Sequence, residues 1–241
     1  VILDSSGRTL EQTKLALSYS GFPRYRFIYI SSAGVYSKEE ELPLHESSPI
    51  DNKSRHIGKH ETEKWLIEEE IPFTSFRPTY IYGPGNYNPI ERWFFDRITY
   101  NDSVPIPDNG NLITQLGHVS DLAEAIILSL DCGKCLNQIY NISGKKGITI
   151  KGLIDLAILT TGRKPTDIKL RSFDTKRLDG VSRKLFPLRL SHFFTDISLI
   201  EKDLNWSPSF DLKKGLLDSY KNDYLLRPRS AVDFSLDENL F

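Results

Sequence analysis

The sequence predicts a doubly wound α/β fold with a mostly parallel sheet and a smaller C-terminal α/β domain. Three observations lead there. Apolar segments of strand length alternate with segments of helical period, and the connections between them are short. From about Asn86 the texture shifts to proline-broken, aromatic and then basic stretches. The 241 residues suffice for one large domain or two small ones, and 39% of them are apolar, enough to fill a core.

Taken in order, residues 1–4 read as a strand, Leu10–Ser20 as a helix and residues 24–31 as a buried strand. Residues 56–70 follow with helical period, and residues 73–77 form the next apolar strand. Pro84, Pro89, Pro105 and Pro107 punctuate the region around one aromatic helix, Ile90–Tyr100, whose Trp93, Phe94 and Phe95 are expected at a domain junction or a dimer contact. Ser120 or Asp121 is placed to cap a helix over 121–130, and Gln138–Ile142 is a further strand. Thr149 precedes a helix bearing Leu153, Leu156, Ala157 and Thr160, and two more helices center on Leu199 and Leu216. The expected division is 1–85 in the first domain, an excursion over 86–112, a return over 113–146, a small domain over 147–228, and a tail over 229–241 that orders on contact.

Charge narrows the function classes. Lys and Arg number 31 against 32 Asp and Glu, a net charge of −1, which excludes a disordered polyelectrolyte and a uniformly basic nucleic-acid coat. Anion binding must be local. No apolar run approaches the roughly 20 residues of a membrane-spanning helix, and Val1-Ile2-Leu3-Asp4 lacks the features of a signal peptide. The sequence contains no methionine and opens on a strand, so a fragment continuing upstream is expected. Cys132 and Cys135 form a Cys-Gly-Lys-Cys pair after a helix, where the dipole disfavors thiolate, and no second ligand pair stands at zinc spacing; an ordinary loop pair in a reducing compartment is the expectation.

Five segments carry a resemblance. Phe27-Ile-Tyr-Ile-Ser-Ser32-Ala-Gly-Val-Tyr36, Arg77-Pro-Thr-Tyr80-Ile81-Tyr-Gly-Pro84, Leu116-Gly-His-Val-Ser-Asp121-Leu-Ala, Gln138-Ile-Tyr-Asn-Ile142 and Leu204-Asn-Trp-Ser-Pro208 with Gly215-Leu216 keep the order and spacing of the extended short-chain dehydrogenase/reductase superfamily, which includes NAD-dependent sugar epimerases and dehydratases. The resemblance implies a Rossmann-type first domain. It also implies a catalytic set of Ser, Tyr and Lys, with the Ser at Ser32, the Lys at Lys59 and the Tyr position at Arg55. A guanidinium stays protonated and cannot exchange the proton a phenol would. His56 is adjacent, but on a helix it would lie about 100° around from residue 55.

The glycine-rich turn that seats pyrophosphate and the acidic residue for the adenosine ribose belong to the first two strands of such a fold. Neither is in this sequence; if residues 1–4 are the fourth strand of such a fold, about 70 residues are expected upstream from the usual βαβ length. Arg8 is then either a phosphate ligand or a surface charge. Lys59, Tyr80 and Ile81 are the other cofactor-side positions, and NAD(P) is a cofactor the resemblance leaves open.

A narrower resemblance lies in Lys53-Ser-Arg55-His-Ile-Gly-Lys59-His-Glu-Thr-Glu63, in the segment from Tyr82 to Arg97, in Gln115-Leu-Gly-His118-Val and in Ser191-His-Phe-Phe194. These are similar to the chloroplast stem-loop-binding protein family, plastid and cyanobacterial members of the superfamily that bind RNA and carry Arg where others have Tyr. What this implies is RNA as the partner, a homo- or hetero-oligomer, and a plastid stroma or cyanobacterial cytoplasm. It also implies a metal-dependent endoribonuclease activity with Mg2+ as the cation. No carboxylate pair for the metal stands out, Asp4 and Asp121 being outer candidates.

The residues offer their own support for an anionic polymer. Between positions 163 and 189, nine basic residues stand against three acidic ones, a net +6 that leaves −7 on the rest of the chain. Lys169, Arg171, Lys176, Arg177, Arg183, Lys184 and Arg189 are the candidate phosphate contacts. Phe173 and Phe186 lie among them, and His192, Phe193 and Phe194 follow, as rings on which bases could stack or as core. His56 and His60 stand four apart, without a third ligand at clear spacing, and the Glu-rich run from Glu61 to Glu70 reads as a solvated face. The leading expectation is RNA binding on an altered dehydrogenase/reductase scaffold. The alternative is an NAD(P)-dependent nucleotide-sugar epimerase/dehydratase-like enzyme with an altered site.

Overall fold

The computed structural model describes residues 1–39, 41–88, 90–227 and 231–241. In chain order the elements are β1 (Ile2–Asp4), α1 (Leu10–Ser20), β2 (Phe27–Ile30), α2 (Ile57–Glu68), β3 (Phe73–Pro78), β4 (Tyr80–Tyr82), α3 (Ile90–Tyr100), β5 (Ser103–Pro107), β6 (Ile113–Thr114), β7 (Leu116–His118), α4 (Val119–Asp131), β8 (Gln138–Ile142), β9 (Ile148–Thr149), α5 (Ile150–Thr160), β10 (Lys169–Phe173), α6 (Ser198–Leu204) and α7 (Leu212–Ser219). The chain forms two compact units, one of residues 1–80, 120–145 and 194–209, the other of residues 81–119, 146–193 and 210–241.

The first unit is built on a four-stranded parallel sheet in the order β1-β2-β3-β8. Strand β2 shows why it is covered on both faces. Phe27 and Tyr29 point into a cluster with Leu17 of α1, Trp65 and Leu66 of α2, Ile71 and Phe73, while Ile28 points into another with Phe76, Ala125 of α4, Tyr140, Ile142, Ile200 of α6 and Trp206. Alternation of side chains with period two therefore distributes consecutive apolar residues to opposite layers, as a doubly wound sheet requires. Thr9 caps α1, and Gly21, at φ +74°, closes it with its N–H on the Leu17 carbonyl.

The second unit holds two strand pairs, β5 with β10 in parallel and β6 with β9 antiparallel, together with α3, α5 and α7. Where the chain enters it, β4 pairs with β7. Thr149 accepts the Gly152 N–H to start α5, whose Ile150, Leu153, Ile154, Ala157 and Ile158 are buried.

Several expectations change here. Residues 194–209, expected in the small domain, belong to the first unit, because Leu44 pairs with the backbone of Phe194 and Ile200 packs under the sheet. Trp93, Phe94 and Phe95 sit inside the second unit: Trp93 and Phe94 meet Phe186 edge-on, and Phe95 meets Tyr220 and Tyr224. Helix α4 begins at Val119, so neither Ser120 nor Asp121 precedes it; Asp121 lies in its first turn and accepts from the Ser209 N–H and hydroxyl. The tail contains a 3-10 helix over Phe234–Leu240, with Asp237 and Leu240 buried. Positions 229 and 230 of the tail, the boundary at 228, and Pro89 lie outside the described residues. Among the described residues no helix is long and apolar enough to cross a membrane.

Candidate functional site

The C-terminal ends of β1 and β2 open onto the site. The Asp4 carboxylate closes the turn after β1 by accepting from the Ser6 and Gly7 N–H groups at 2.9 and 2.7 Å and from the Thr13 hydroxyl at 3.1 Å. Gly58 of α2 approaches the backbone of Arg8 and Thr9 so closely that a Cβ there would lie 2.7 Å from the Arg8 carbonyl oxygen. The starts of α1 and α2 therefore meet beside Arg8, whose own side chain is exposed.

After β2 the chain turns through one 3-10 turn, Ala33–Val35, capped by the Ser32 hydroxyl, which accepts the Gly34 N–H at 2.9 Å. Lys59, in the first turn of α2, reaches back and donates to the Ile30 carbonyl at 2.5 Å, with its ammonium 4.9 Å from the center of the Tyr29 ring. Burial pushes the Lys59 ammonium down to about 8, partly opposed by Asp4 and Glu63 and helped by Arg8. Lys59 and Ser32 are thus brought to the same strand end.

Arg55 is exposed and donates from Nε to His56 Nε2 at 3.0 Å. His56 precedes α2 instead of lying within it, so the expected 100° offset from residue 55 does not apply. Its ring lies against Gly34: a Cβ built on Gly34 would fall 2.5 Å from His56 Cδ2 and 2.9 Å from Ser32 Oγ. The imidazole therefore shares the Ser32 corner, a placement a one-residue shift of the helix start concealed.

The basic stretch is divided among several elements of the second unit. Lys169, Lys176, Arg177, Arg183 and Lys184 are exposed. Arg171 forms a bidentate pair with Glu238 at 2.5 and 3.0 Å, Arg177 faces Asp174 at 3.2 Å, and Arg189 lies 4.3 Å over the Phe193 ring. Phe173, Phe186 and Phe193 are buried, so these rings are core and not a stacking platform; His192 is exposed and accepts the Ile113 N–H at Nδ1. Composition alone could not separate the two roles, since core and platform draw on the same residues.

His118 is a core histidine of the second unit, stacked on Phe210 at 3.8 Å and edge-on to Tyr82, with Nε2 3.2 Å from Asp218. Two carboxylates that the sequence reading passed over grip the turn after β4: Glu91 accepts the Gly83 N–H and Asp223 the Gly85 N–H, each at 2.9 Å. Glycines at positive φ, +127° and +82°, were the signal of a turn needing such partners. Burial raises the Glu91 carboxyl. Cys135 is buried and pushed up to about 12 by burial, the state of an inert thiol. Among the described residues no three His, Cys, Asp or Glu side chains gather to hold a metal, and Asp4 and Asp121 are each engaged as described.

Residues 12–143 match the profile of the NAD dependent epimerase/dehydratase family. The chain belongs to this family. Solved structures agree on the fold: dTDP-glucose 4,6-dehydratase from Bacillus anthracis superimposes with a TM-score of 0.74 at 16% identity, covering 93% of this chain and 73% of that one. UDP-glucuronic acid 4-epimerase from Bacillus cereus gives 0.73 at 18%, covering 90% and 67%. At such identities the likeness shows the Rossmann-like α/β fold alone. A curated relative stands nearer in sequence, the chloroplast stem-loop binding protein of 41 kDa b from Arabidopsis thaliana, 41% identical over 240 residues, 99% of this chain. The family member described here spans 62% of that protein's length.

Proposed function

We propose that this chain is part of an RNA-binding protein that uses the epimerase/dehydratase scaffold without its phenol-based proton relay. The observation that carries the reading is Arg55: where the family's acid/base phenol is expected stands an exposed guanidinium, a permanent cation suited to a phosphate and unable to shuttle a proton. The stem-loop-binding relative at 41% identity supports RNA as the polymer and a plastid as its setting. Arg55, Arg8 and the exposed cations from Lys169 to Lys184 supply phosphate contacts. Cleavage of the bound RNA with Mg2+ is the finer reading, to be separated from binding by the assay below.

A second reading, retained dinucleotide binding, rests on Lys59. Its ammonium is held at the end of β2 with donors to spare beyond the Ile30 carbonyl, which fits the holding of a nicotinamide ribose. Tyr80 and Ile81, both half-buried, and Arg8 are the further cofactor-side positions. NAD(P), when bound, would supply hydride transfer. The donor set fits binding and does not fit the phenol relay, because residue 55 is Arg.

The test is to titrate the chain in parallel with a stem-loop RNA and with NAD(P), each with and without Mg2+, while following the integrity of the RNA. RNA affinity that falls steeply with salt is the expected result. Salt-independent affinity, or dinucleotide binding without RNA binding, would overturn it.

A further inference from the structure

In the second unit, two arginines on different elements share one acidic segment. Asp237 accepts from Arg97 of α3 at 2.9 and 2.5 Å, and both side chains are buried. The next residue, Glu238, does the same to Arg171 of β10 at 2.5 and 3.0 Å. Each guanidinium also lies on aromatic rings: Arg97 is 3.6 Å from the center of Trp93 and 5.8 Å from that of Phe234, and Arg171 is 3.8 Å from that of Phe241. Beside the Arg97 pair is a cavity of about 400 Å3, lined by Trp93, Arg97, Lys184, Val232 and Asp233 among others.

A carboxylate and a phosphodiester offer the guanidinium fork the same two oxygen acceptors. A nucleobase offers it the same flat face as phenylalanine. Segment 231–241 thus presents anions flanked by rings to a set of cations, which is also what a strand of nucleotides presents. Two ion pairs hold it together with apolar contacts: Asp237 and Leu240 are buried, Val232 and Phe234 half-buried, and Phe241 meets Phe173 edge-on.

We infer that Arg97, Arg171, Lys184 and Trp93 form a single-stranded RNA site that the acidic segment 231–241 occupies in place of the ligand. The inference rests on the RNA reading above and adds where the strand lies and what competes with it. RNA then gains access only in the fraction of molecules whose segment is released, so its apparent affinity is reduced by that fraction.

The test measures anisotropy of a labeled 12-nucleotide single-stranded RNA, and in parallel of a labeled poly-glutamate peptide, against the wild-type chain, Glu238→Gln and a variant lacking 231–241. Thermal melts of each confirm folding. Because Arg171–Glu238 is a solvent-facing pair, Glu238→Gln should keep the fold and tighten RNA binding about two- to fivefold. Deletion should tighten it on the order of tenfold, and the synthetic segment 231–241 should displace RNA from the deleted chain. Arg171→Ala added to Glu238→Gln should cancel the gain. If wild type binds RNA and Glu238→Gln, with an unchanged melt, binds no tighter, the segment does not compete and this inference alone falls. If poly-glutamate gains as much as RNA, the site is one for acidic peptides. If no form binds RNA, the functional reading falls with it.

Discussion

Glu63 and Arg77 form a buried ion pair inside the first unit, with Arg77 Nε 3.1 Å from each carboxylate oxygen and a guanidinium terminal nitrogen 2.6 Å from Oε2. Burial alone would raise the Glu63 carboxyl, but the adjacent His60, hydrogen bonds from Arg77 and Ser75 and the charge of Arg77 outweigh it and hold it at about 2. Removing one partner strands a charge in the core, so Glu63→Gln is expected to cost about 3–5 kcal/mol of stability, read from the urea midpoint. The folded carboxyl lies below its ordinary 4.5, so the stabilization is complete above that value and is lost as pH falls from 4.5 toward about 2. An acid-unfolding curve identical in wild type and Glu63→Gln would contradict this assignment.

Lys59 gives the same sign of pH dependence in a different window and from a different cause. Burial lowers its ammonium to about 8 from 10.5, so between those values the unfolded chain carries a proton that the folded chain has released. This group therefore makes the fold more stable as pH rises through that window. If Lys59 also helps to hold an anionic ligand, binding should weaken as pH passes about 8. Lys59→Met should weaken binding at pH 7 and remove that pH dependence.

Gly34 gives the Ser32 corner its room. A methyl group there would overlap His56 and crowd the Ser32 hydroxyl. Gly34→Ala should destabilize the first unit by about 1–3 kcal/mol, and His56→Gly added to it should restore much of the loss because the nearest clash is with the imidazole. Additive effects in a double-mutant cycle of thermal melts would show that the two residues do not touch.

Legibility from sequence followed the length of the signal. Leu10–Ser20, Ile90–Tyr100 and Gln138–Ile142 agree with their periodicity to the residue, because a sustained period of 3.6 or a bounded apolar run reports the buried face directly. Strands β6 and β9, two residues each, carry no period, and β5 meets β10 across about 60 residues of chain, a pairing no local pattern records. Ser32, Arg55 and Lys59 could be placed by motif spacing, and Ser32 and Lys59 do converge at one strand end. The place of His56 could not be read, because it depends on whether α2 begins at 56 or 57. Nor could Glu238 be matched to Arg171, since an exposed acidic residue far along the chain has no sequence signature of its partner.

The exposed cations beyond β10 provide the most direct check on where RNA phosphates are met. Lys176 and Arg177 sit in the turn after the strand, Arg177 pairs with Asp174 at 3.2 Å, and Arg177 remains 84% exposed in that pair. A solvent-facing pair of this kind contributes little to stability, so the double substitution Lys176→Glu and Arg177→Glu should leave the thermal melt nearly unchanged. Each phosphate neutralized releases counterions, and the slope of log affinity against log salt scales at roughly 0.7 per contact for a single strand. Losing two contacts should therefore flatten that slope by about 1 to 2 and weaken binding at low salt far more than at high salt. Equal weakening at all salt concentrations would mean that the substitutions disturb the fold instead of removing phosphate contacts. An unchanged affinity with an unchanged slope would move the RNA to another face, and Arg8, Arg55 and Lys59 on the first unit would be the next cations to replace.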